Sequence, residues 1–342
     1  MPLQMEPFNR DSFIQSLQNA IELIPQAEKL GKELSKRNFN RLFFVGCGAP
    51  NRIMLNFEYW IQKIVTKLEI RNYFPAEFIN QNTNALDDKT LVILGSYSGT
   101  TKETIEAAEF LKDKPCTTLA ITRLPDLPLA KKVQYTLLFG ETKSGDYSRF
   151  ILALAFLSSF LSEIDPKWNF HKDIISSLQV LPKILADTIE QSEEQVKKDA
   201  EFLKDKSNIY VIGSGPMYGT AYILAKCALT EMQWLPSHPI IGAEFFHGPF
   251  EVFTSETPVI TLVGEDPSRS EAERVVKFCK KYTDNQIIYD ARDYLTEEIK
   301  PIVKGIISSI VVDAATRRLI DYLAEFREHD KSKRKYMGKV DY

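Results

Sequence analysis

A glutamate and a histidine sixteen residues apart, Glu231 and His247 in the stretch EMQWLPSHPIIGAEFFH, are the side chains of this sequence best suited to move protons. Leu224, Cys227 and Ala228 lead to Glu231 at the i, i+3, i+4, i+7 spacing of a helix. That spacing places a carboxylate on the stripe a helix normally buries. Buried with no cation beside it, a carboxylate has its pKa raised towards that of a base working near neutral pH. His247 is followed at once by Gly248-Pro249, a turn that can hold an imidazole on a loop. A base and a proton shuttle are the minimum for proton transfer beside a carbonyl. A core glutamate and a turn histidine would leave the same residues, and at this point both readings stand.

The second cluster is Ser96-Tyr97-Ser98-Gly99-Thr100-Thr101, in which every residue but the glycine carries a hydroxyl. Thr100 and Glu103 fit a capping box, so a helix is expected to begin there. Hydroxyls, a flexible glycine and the free N–H groups of a helix start are the parts of a phosphate cradle. A solvated turn that only caps a helix uses the same residues. The equivalent loop further on, Gly264-Glu265-Asp266-Pro267, carries two carboxylates that would repel a phosphate. The labour is therefore expected to divide: one half of the chain holds an anion, the other supplies Glu231 and His247. A dinucleotide site is a weaker reading, because Gly46-Cys47-Gly48 and Gly213-Ser214-Gly215 lack the third glycine of the fingerprint.

Elements that could position these groups can be read in order. Asp11 to Lys36 has the pattern of an amphipathic helix. Arg41 to Val45 is a short apolar strand running into a glycine turn. Asn51 to Leu68 has helical spacing, and Leu91 to Leu94, Cys116 to Thr122 and Val133 to Phe139 are further strands. Pro166 to about Lys204 is polar and helical and is taken as a connector. Asn208 to Gly215 then repeats the pattern of Arg41 to Gly48, and Val259 to Val263 follows as Leu91 to Leu94 did. This reads as an internal duplication, with coincidence between generic α/β units as the alternative. Ile287 to Asp290 is a strand, about Ile299 to Arg327 is helical, and the tail HDKSKRKYMGKVDY is basic without apolar period. The fold class is therefore α/β, with parallel sheets covered by helices on both faces.

The chain has 342 residues, enough for about two domains, and a formal charge of −3. That charge gives no reason to expect nucleic acid or an anionic membrane as partner. Its longest apolar run, Phe150 to Phe160, is far short of the roughly 20 residues that span a bilayer. MPLQMEPFNR lacks the regions of a signal peptide. Cys47, Cys116, Cys227 and Cys279 are too scattered for a zinc site or a disulfide framework, so cytoplasmic residence is the default. No metal or organic cofactor is expected. His238, between Ser237 and Pro239, reads as a loop residue, and His171 as a surface one. Glu244 and Glu251 flank His247, either orienting it or merely solvated. Lys331 to Lys335 reads as a solvated tail or a lid over an anionic substrate.

Taken together, the two Gly-x-Gly strands, the Ser-x-Ser-Gly-x-Thr loop and the Glu…His-Gly-Pro segment resemble the tandem sugar-isomerase (SIS) domains of the isomerase half of glucosamine-6-phosphate synthase. EMQW…GAEFFHGPFE and the ending RKYMGKVDY are more similar still to the fructosamine-6-phosphate deglycases, over roughly residues 38 to 342. The resemblance implies a layered αβα fold in each half: an N-terminal helical segment (1–37), a first SIS domain (38–165), a helical connector (166–205) and a second SIS domain with the tail (206–342). It implies Ser96, Ser98 and Thr101 as phosphate donors with Tyr97 between them, Glu231 as the enolisation base and His247 as the ring-opening group. Gly48 and Lys339 are further implied substrate contacts. In this family the histidine enters from a neighbouring subunit, which implies a homodimer or higher. Two departures, Pro50 in place of a hydroxyl and Ala228 in place of a lysine, imply a pocket remade around something other than ammonia. The implied reaction is release of glucose 6-phosphate and an amine from a 6-phosphorylated fructosamine. An aldose–ketose isomerase or aminosugar-phosphate deaminase shares the chemistry, and a non-catalytic sugar-phosphate sensor shares the fold.

Overall fold

The apolar runs of the sequence become strands buried on both faces, as parallel sheets between helices require. The computed structural model describes residues 5–341; Met1–Gln4 and Tyr342, at the ends of the two terminal stretches quoted above, lie outside it. The chain divides into two units, Arg10–Pro182 and, with the N-terminal stretch up to Asn9, Lys183 to the C-terminus.

The first unit begins with α1 (Arg10–Glu22) and α2 (Ile24–Ser35), then alternates through β1 (Arg41–Gly46), α3 (Gly48–Ile64), β2 (Glu69–Tyr73), α4 (Pro75–Gln81), β3 (Thr90–Gly95), α5 (Lys102–Leu111), β4 (Thr117–Thr122), β5 (Tyr135–Leu138) and α6 (Gly145–Ile164). All strand pairs are parallel, in the order β2-β1-β3-β4-β5. Phe43, Val45, Val92, Leu94 and Ala120 of the sheet pack with Phe78 of α4 and Ala107, Ala108 and Leu111 of α5. Helix α6 is by length and composition apolar enough to cross a membrane, yet it is buried as the core helix of its unit. It meets α2 closely: a Cβ on Gly31 would lie 2.6 Å from the Phe156 carbonyl oxygen and 2.9 Å from the Phe160 nitrogen. Glycine is what lets the two backbones approach so far.

Helix α7 (His171–Leu203) continues past the boundary, with Pro182 inside it. The connector expected at 166–205 is thus largely one helix, and its second part is built into the C-terminal unit. There Gln191 and Gln195 donate to the carbonyls of Asp293 and Ile288, and Asp199 accepts from the Tyr289 hydroxyl at 2.6 Å.

The second unit follows with β6 (Ile209–Gly213), α8 (Met217–Tyr222), a π-helix (Ile223–Thr230), the short α9 (Glu231–Gln233), β7 (Ser237–Ile241), β8 (Val259–Val263), α10 (Arg269–Tyr282), β9 (Gln286–Asp290), α11 (Pro301–Thr316) and α12 (Leu319–Phe326). Its parallel sheet has the order β7-β6-β8-β9. Strands β6 to β9 therefore repeat the arrangement of β1 to β4, and the duplication read from the glycine turns is one of topology as well. In each sheet the strand order reverses beside the first strand of the repeat. At such a point the loops leaving the carboxyl ends part and leave a crevice.

Two strands, β2 and β7, have no apolar run to announce them. Both are edge strands, so only part of each is covered. His238 lies in β7, paired in register with Tyr210, rather than in a loop. Pro239 beside it hides the strand from sequence patterns, because a residue without an N–H fits a sheet only at an edge. His171 is half-buried rather than superficial: its ring nitrogens lie 3.0 Å from Ser158 Oγ and 3.0 Å from Glu28 Oε1.

Candidate active site

Strand β3 ends at Gly95, and the hydroxyl-rich loop turns from it into α5. The helix starts one residue later than the capping-box pattern suggests. Thr101, not Thr100, is its N-cap, and no side-chain cap bond is made. Thr101 Oγ1 lies instead 3.0 Å from the buried Ser96 Oγ, which also accepts the Gly99 N–H at 3.0 Å. Ser98 Oγ accepts from the Thr100 N–H (3.2 Å) and hydroxyl (2.9 Å). This accounting leaves the Ser98 proton and one proton of the Ser96–Thr101 pair for an acceptor outside the loop. The Tyr97 hydroxyl is spent on the Thr142 carbonyl at 3.0 Å; its ring stacks on Phe139, and the Arg123 guanidinium lies 5.3 Å from the ring centre. Gly99 has φ +63°, and a Cβ there would meet Leu127 Cβ at 2.7 Å. Uncapped N–H groups at the start of a ten-residue helix, with hydroxyls in front of them, favour an anion.

Gly48 opens α3 with φ +58° at the neighbouring strand end, one residue after the half-buried Cys47, whose thiol is pushed up by burial first and then by Glu103. Pro50 faces Gly95 at the end of β3, where an added Cβ would lie 3.2 Å from the Pro50 Cβ.

The equivalent loop of the second repeat is filled from within. Asp266 is buried, and its Oδ1 accepts from the Ser268 N–H (2.9 Å) and Ser268 Oγ (2.5 Å) at the start of α10. Its Oδ2 has no hydrogen-bond partner among the described residues, and burial pushes its carboxyl up. The acid thus holds the turn where the first repeat presents hydroxyls.

Glu231 follows the π-helix directly. The wider winding moves the buried stripe to Leu224, Ala225, Leu229 and Gln233, and leaves Cys227, Ala228 and Glu231 half-exposed. The stripe read from α-helical spacing is therefore displaced. Nor is the carboxylate without a cation. Arg334, from the basic tail, places Nη2 2.8 Å from Glu231 Oε1. The next residues secure the same segment: Gln233 Nε2 donates to the His329 carbonyl at 3.2 Å, and the Trp234 ring meets the His329 ring edge-on at 4.5 Å. Trp234 does so from a left-handed backbone, φ +53°, uncommon for so large a side chain. The sequence hides this pairing, because Arg334 stands in a charged run with no period and about a hundred residues from its partner. Lys226, two positions before Ala228, donates to the Ser237 carbonyl.

His247 lies on an exposed loop between aromatic anchors. Phe245 is buried against Ile212, Val259, Val275 and Cys279, and the Arg274 guanidinium sits 4.0 Å from the Phe246 ring centre. Gly248 turns the chain with φ +123°. Glu244 and Glu251 are exposed; the bond from His247 to Glu244 is a backbone one, N–H to carbonyl at 2.9 Å. Lys339 is exposed in a tail turn where its N–H donates to the Tyr336 carbonyl. No three His, Cys, Asp or Glu side chains gather as metal ligands among the described residues.

Residues 33–161 match the SIS domain model. Over 91% of its length the chain is 34% identical to the fructosamine deglycase FrlB of Bacillus subtilis, covering 95% of that protein. The chain belongs to the SIS-domain family. A second relative, the fructoselysine 6-phosphate deglycase of Escherichia coli, is 25% identical across 92% of this chain and 90% of its own length. A crystal structure of a candidate phosphosugar isomerase from Bacillus subtilis superposes with a TM-score of 0.87 and 33% identity, over 93% of this chain and all of that one. These matches extend beyond the first repeat and take in the second sheet.

Proposed function

We propose that this SIS-domain chain is a deglycase that cleaves 6-phosphorylated fructosamines into glucose 6-phosphate and a free amine. The observation that carries the reading is Glu231, a half-exposed carboxylate on the turn after a π-helix, in a chain similar along nearly its whole length to a protein named fructosamine deglycase. The loop Ser96–Thr101 holds the phosphate through the Ser98 proton, the free proton of the Ser96–Thr101 pair and the start of α5. His247 moves the proton that opens the sugar ring. Glu231 takes a proton from C1 to give a 1,2-enaminol, C2 is reprotonated, and the resulting imine at C1 is hydrolysed. Each positioned proton transfer contributes roughly 10²–10⁴-fold. The substrate nitrogen stabilises the intermediate, so no cofactor is invoked; the net reaction is a hydrolysis. A cytoplasmic homodimer or larger assembly completes the reading, supported by an exposed His247 that a neighbouring copy can receive and by the buried thiols Cys116 and Cys279, which suit a reducing compartment.

The assay is release of glucose 6-phosphate from a panel of phosphorylated fructosamines, with Glu231→Gln beside the wild type. Release is expected, lost by at least a hundredfold in the variant, with sugar-phosphate affinity nearly unchanged. Interconversion of fructose and glucose 6-phosphates without any amine release would make the chain an isomerase instead. Binding without turnover would make it a sensor.

A further inference from the structure

The guanidinium that holds Glu231 is itself held from behind. Arg334 Nη1 donates to the carbonyls of Lys331 and Lys333 at 2.8 and 3.0 Å, while Nη2 reaches Glu231. The segment carrying it is fastened by His329 to Gln233 and Trp234, and by Lys331 to Asp321. The cation is therefore a fixed part of the surroundings of the base, brought by the tail. While the pair holds, Glu231 Oε1 accepts from the guanidinium, and a proton arriving at that oxygen must displace Arg334. The pair becomes productive only if Arg334 is offered another anion.

We propose that the amine released is an α-amino acid, that this anion is its carboxylate, and that Arg334 is the residue that reads it. The inference rests on Glu231 being the base at C1. The substrate nitrogen is bonded to C1, and in an adduct formed through an α-amino group the carbon beyond the nitrogen carries the carboxylate. A group that touches the base at C1 is thus within reach of that carboxylate. Arginine suits the exchange, since its planar fork presents several donors in the geometry of a carboxylate. Trading Glu231 for the substrate carboxylate keeps one ion pair intact, so the exchange itself is nearly balanced while the base is released. A substrate whose amine bears no acid leaves Arg334 on Glu231 and turns over slowly. Arg334 is on this account a specificity residue, and its contact with Glu231 makes recognition of the leaving amine a condition for chemistry.

The test compares two phosphorylated fructosamines, one made from glycine and one from methylamine, which differ by the carboxylate. Wild type is expected to favour the glycine adduct in kcat/KM by about ten- to a hundredfold, the range of a hydrogen bond to a charged group. Arg334→Gln is expected to bring the ratio near one, and Arg334→Lys, which keeps the charge and loses the fork, to fall between. A wild-type ratio near one overturns the proposal, with no variant needed. So does an undiminished ratio in either variant. Glu231→Gln separates the two layers: if it remains active on both adducts, the assignment of the base fails; if it is inactive while Arg334→Gln discriminates as well as wild type, only the role of Arg334 fails.

Discussion

The side-chain oxygens of Ser96 and Thr101 lie 3.0 Å apart, tying the two ends of the hydroxyl-rich loop together at the strand end. Ser96 is the buried member and also accepts the Gly99 N–H, so it shapes the loop more than any residue exposed on it. Ser96→Ala is expected to weaken glucose 6-phosphate binding by about tenfold or more, since a buried N–H loses its acceptor along with the hydroxyl. Thr100→Val, at an exposed position, should change it less than threefold, on the order of a single solvated bond. Calorimetric titration gives both values, and equal losses would refute the assignment of Ser96 as the organiser.

Gly99 tests the same loop through its backbone. Alanine there must adopt φ +63° and press on Leu127. The combined strain should lower stability by roughly 2 kcal/mol or more. Pairing it with Leu127→Ala should recover only the overlap, because the left-handed backbone remains. Full recovery of the denaturation midpoint would show that crowding alone was at fault.

Asp266 allows a prediction with a definite sign. Burial raises its carboxyl in the folded state, outweighing the Ser268 bonds that lower it. The native chain therefore binds more protons here than the unfolded one between the two pKa values. The favourable contribution is fully present below the ordinary value of 3.8 and is lost as pH rises through the raised folded value. Asp266→Asn keeps an oxygen for Ser268 and carries no charge, so at pH 7 it should be at least as stable as wild type. Asp266→Ala strands both Ser268 donors and should cost about 1–3 kcal/mol. Urea midpoints across pH decide; asparagine as damaging as alanine would show that the charge is needed.

His329 is expected to set the pH range over which the tail stays in place. Burial, then Arg327 and Lys333, hold its ring below the ordinary value of 6.5, with Asp330 opposing. The neutral ring is favoured when folded, and its Nε2 is buried with no hydrogen-bond partner among the described residues. Its contribution is complete above 6.5 and fades as pH falls through the depressed folded value. Tryptic cleavage after Lys331 and Lys333 should accelerate on acidification, and His329→Phe should remove that dependence. A cleavage rate that tracks pH equally in both proteins would exclude His329 as the titrating anchor.

Strands enclosed on both faces were legible because burial writes an unbroken apolar run, as in Val259–Val263. Two of the edge strands, β2 and β7, were not: Ser237–Ile241 needs only partial cover and tolerates Pro239. The hydroxyl-rich loop was legible because its residues cluster locally, although the helix start itself moved from Thr100 to Thr101. Glu231 stands out in the sequence as a candidate, but its surroundings do not. A π-helix changes the period on which burial is read, and an ion pair to Arg334 depends on a chain reversal that no local pattern encodes.

Asp266 has a numerical consequence. Doubling an α/β unit ordinarily doubles its helix starts, and with them the seats available to an anion. Here the later seat is stoppered by a side chain covalently its own, at an effective concentration no solute can match. The protein should therefore titrate with one sugar phosphate per chain, and Asp266→Ser is the change that would let a second be counted.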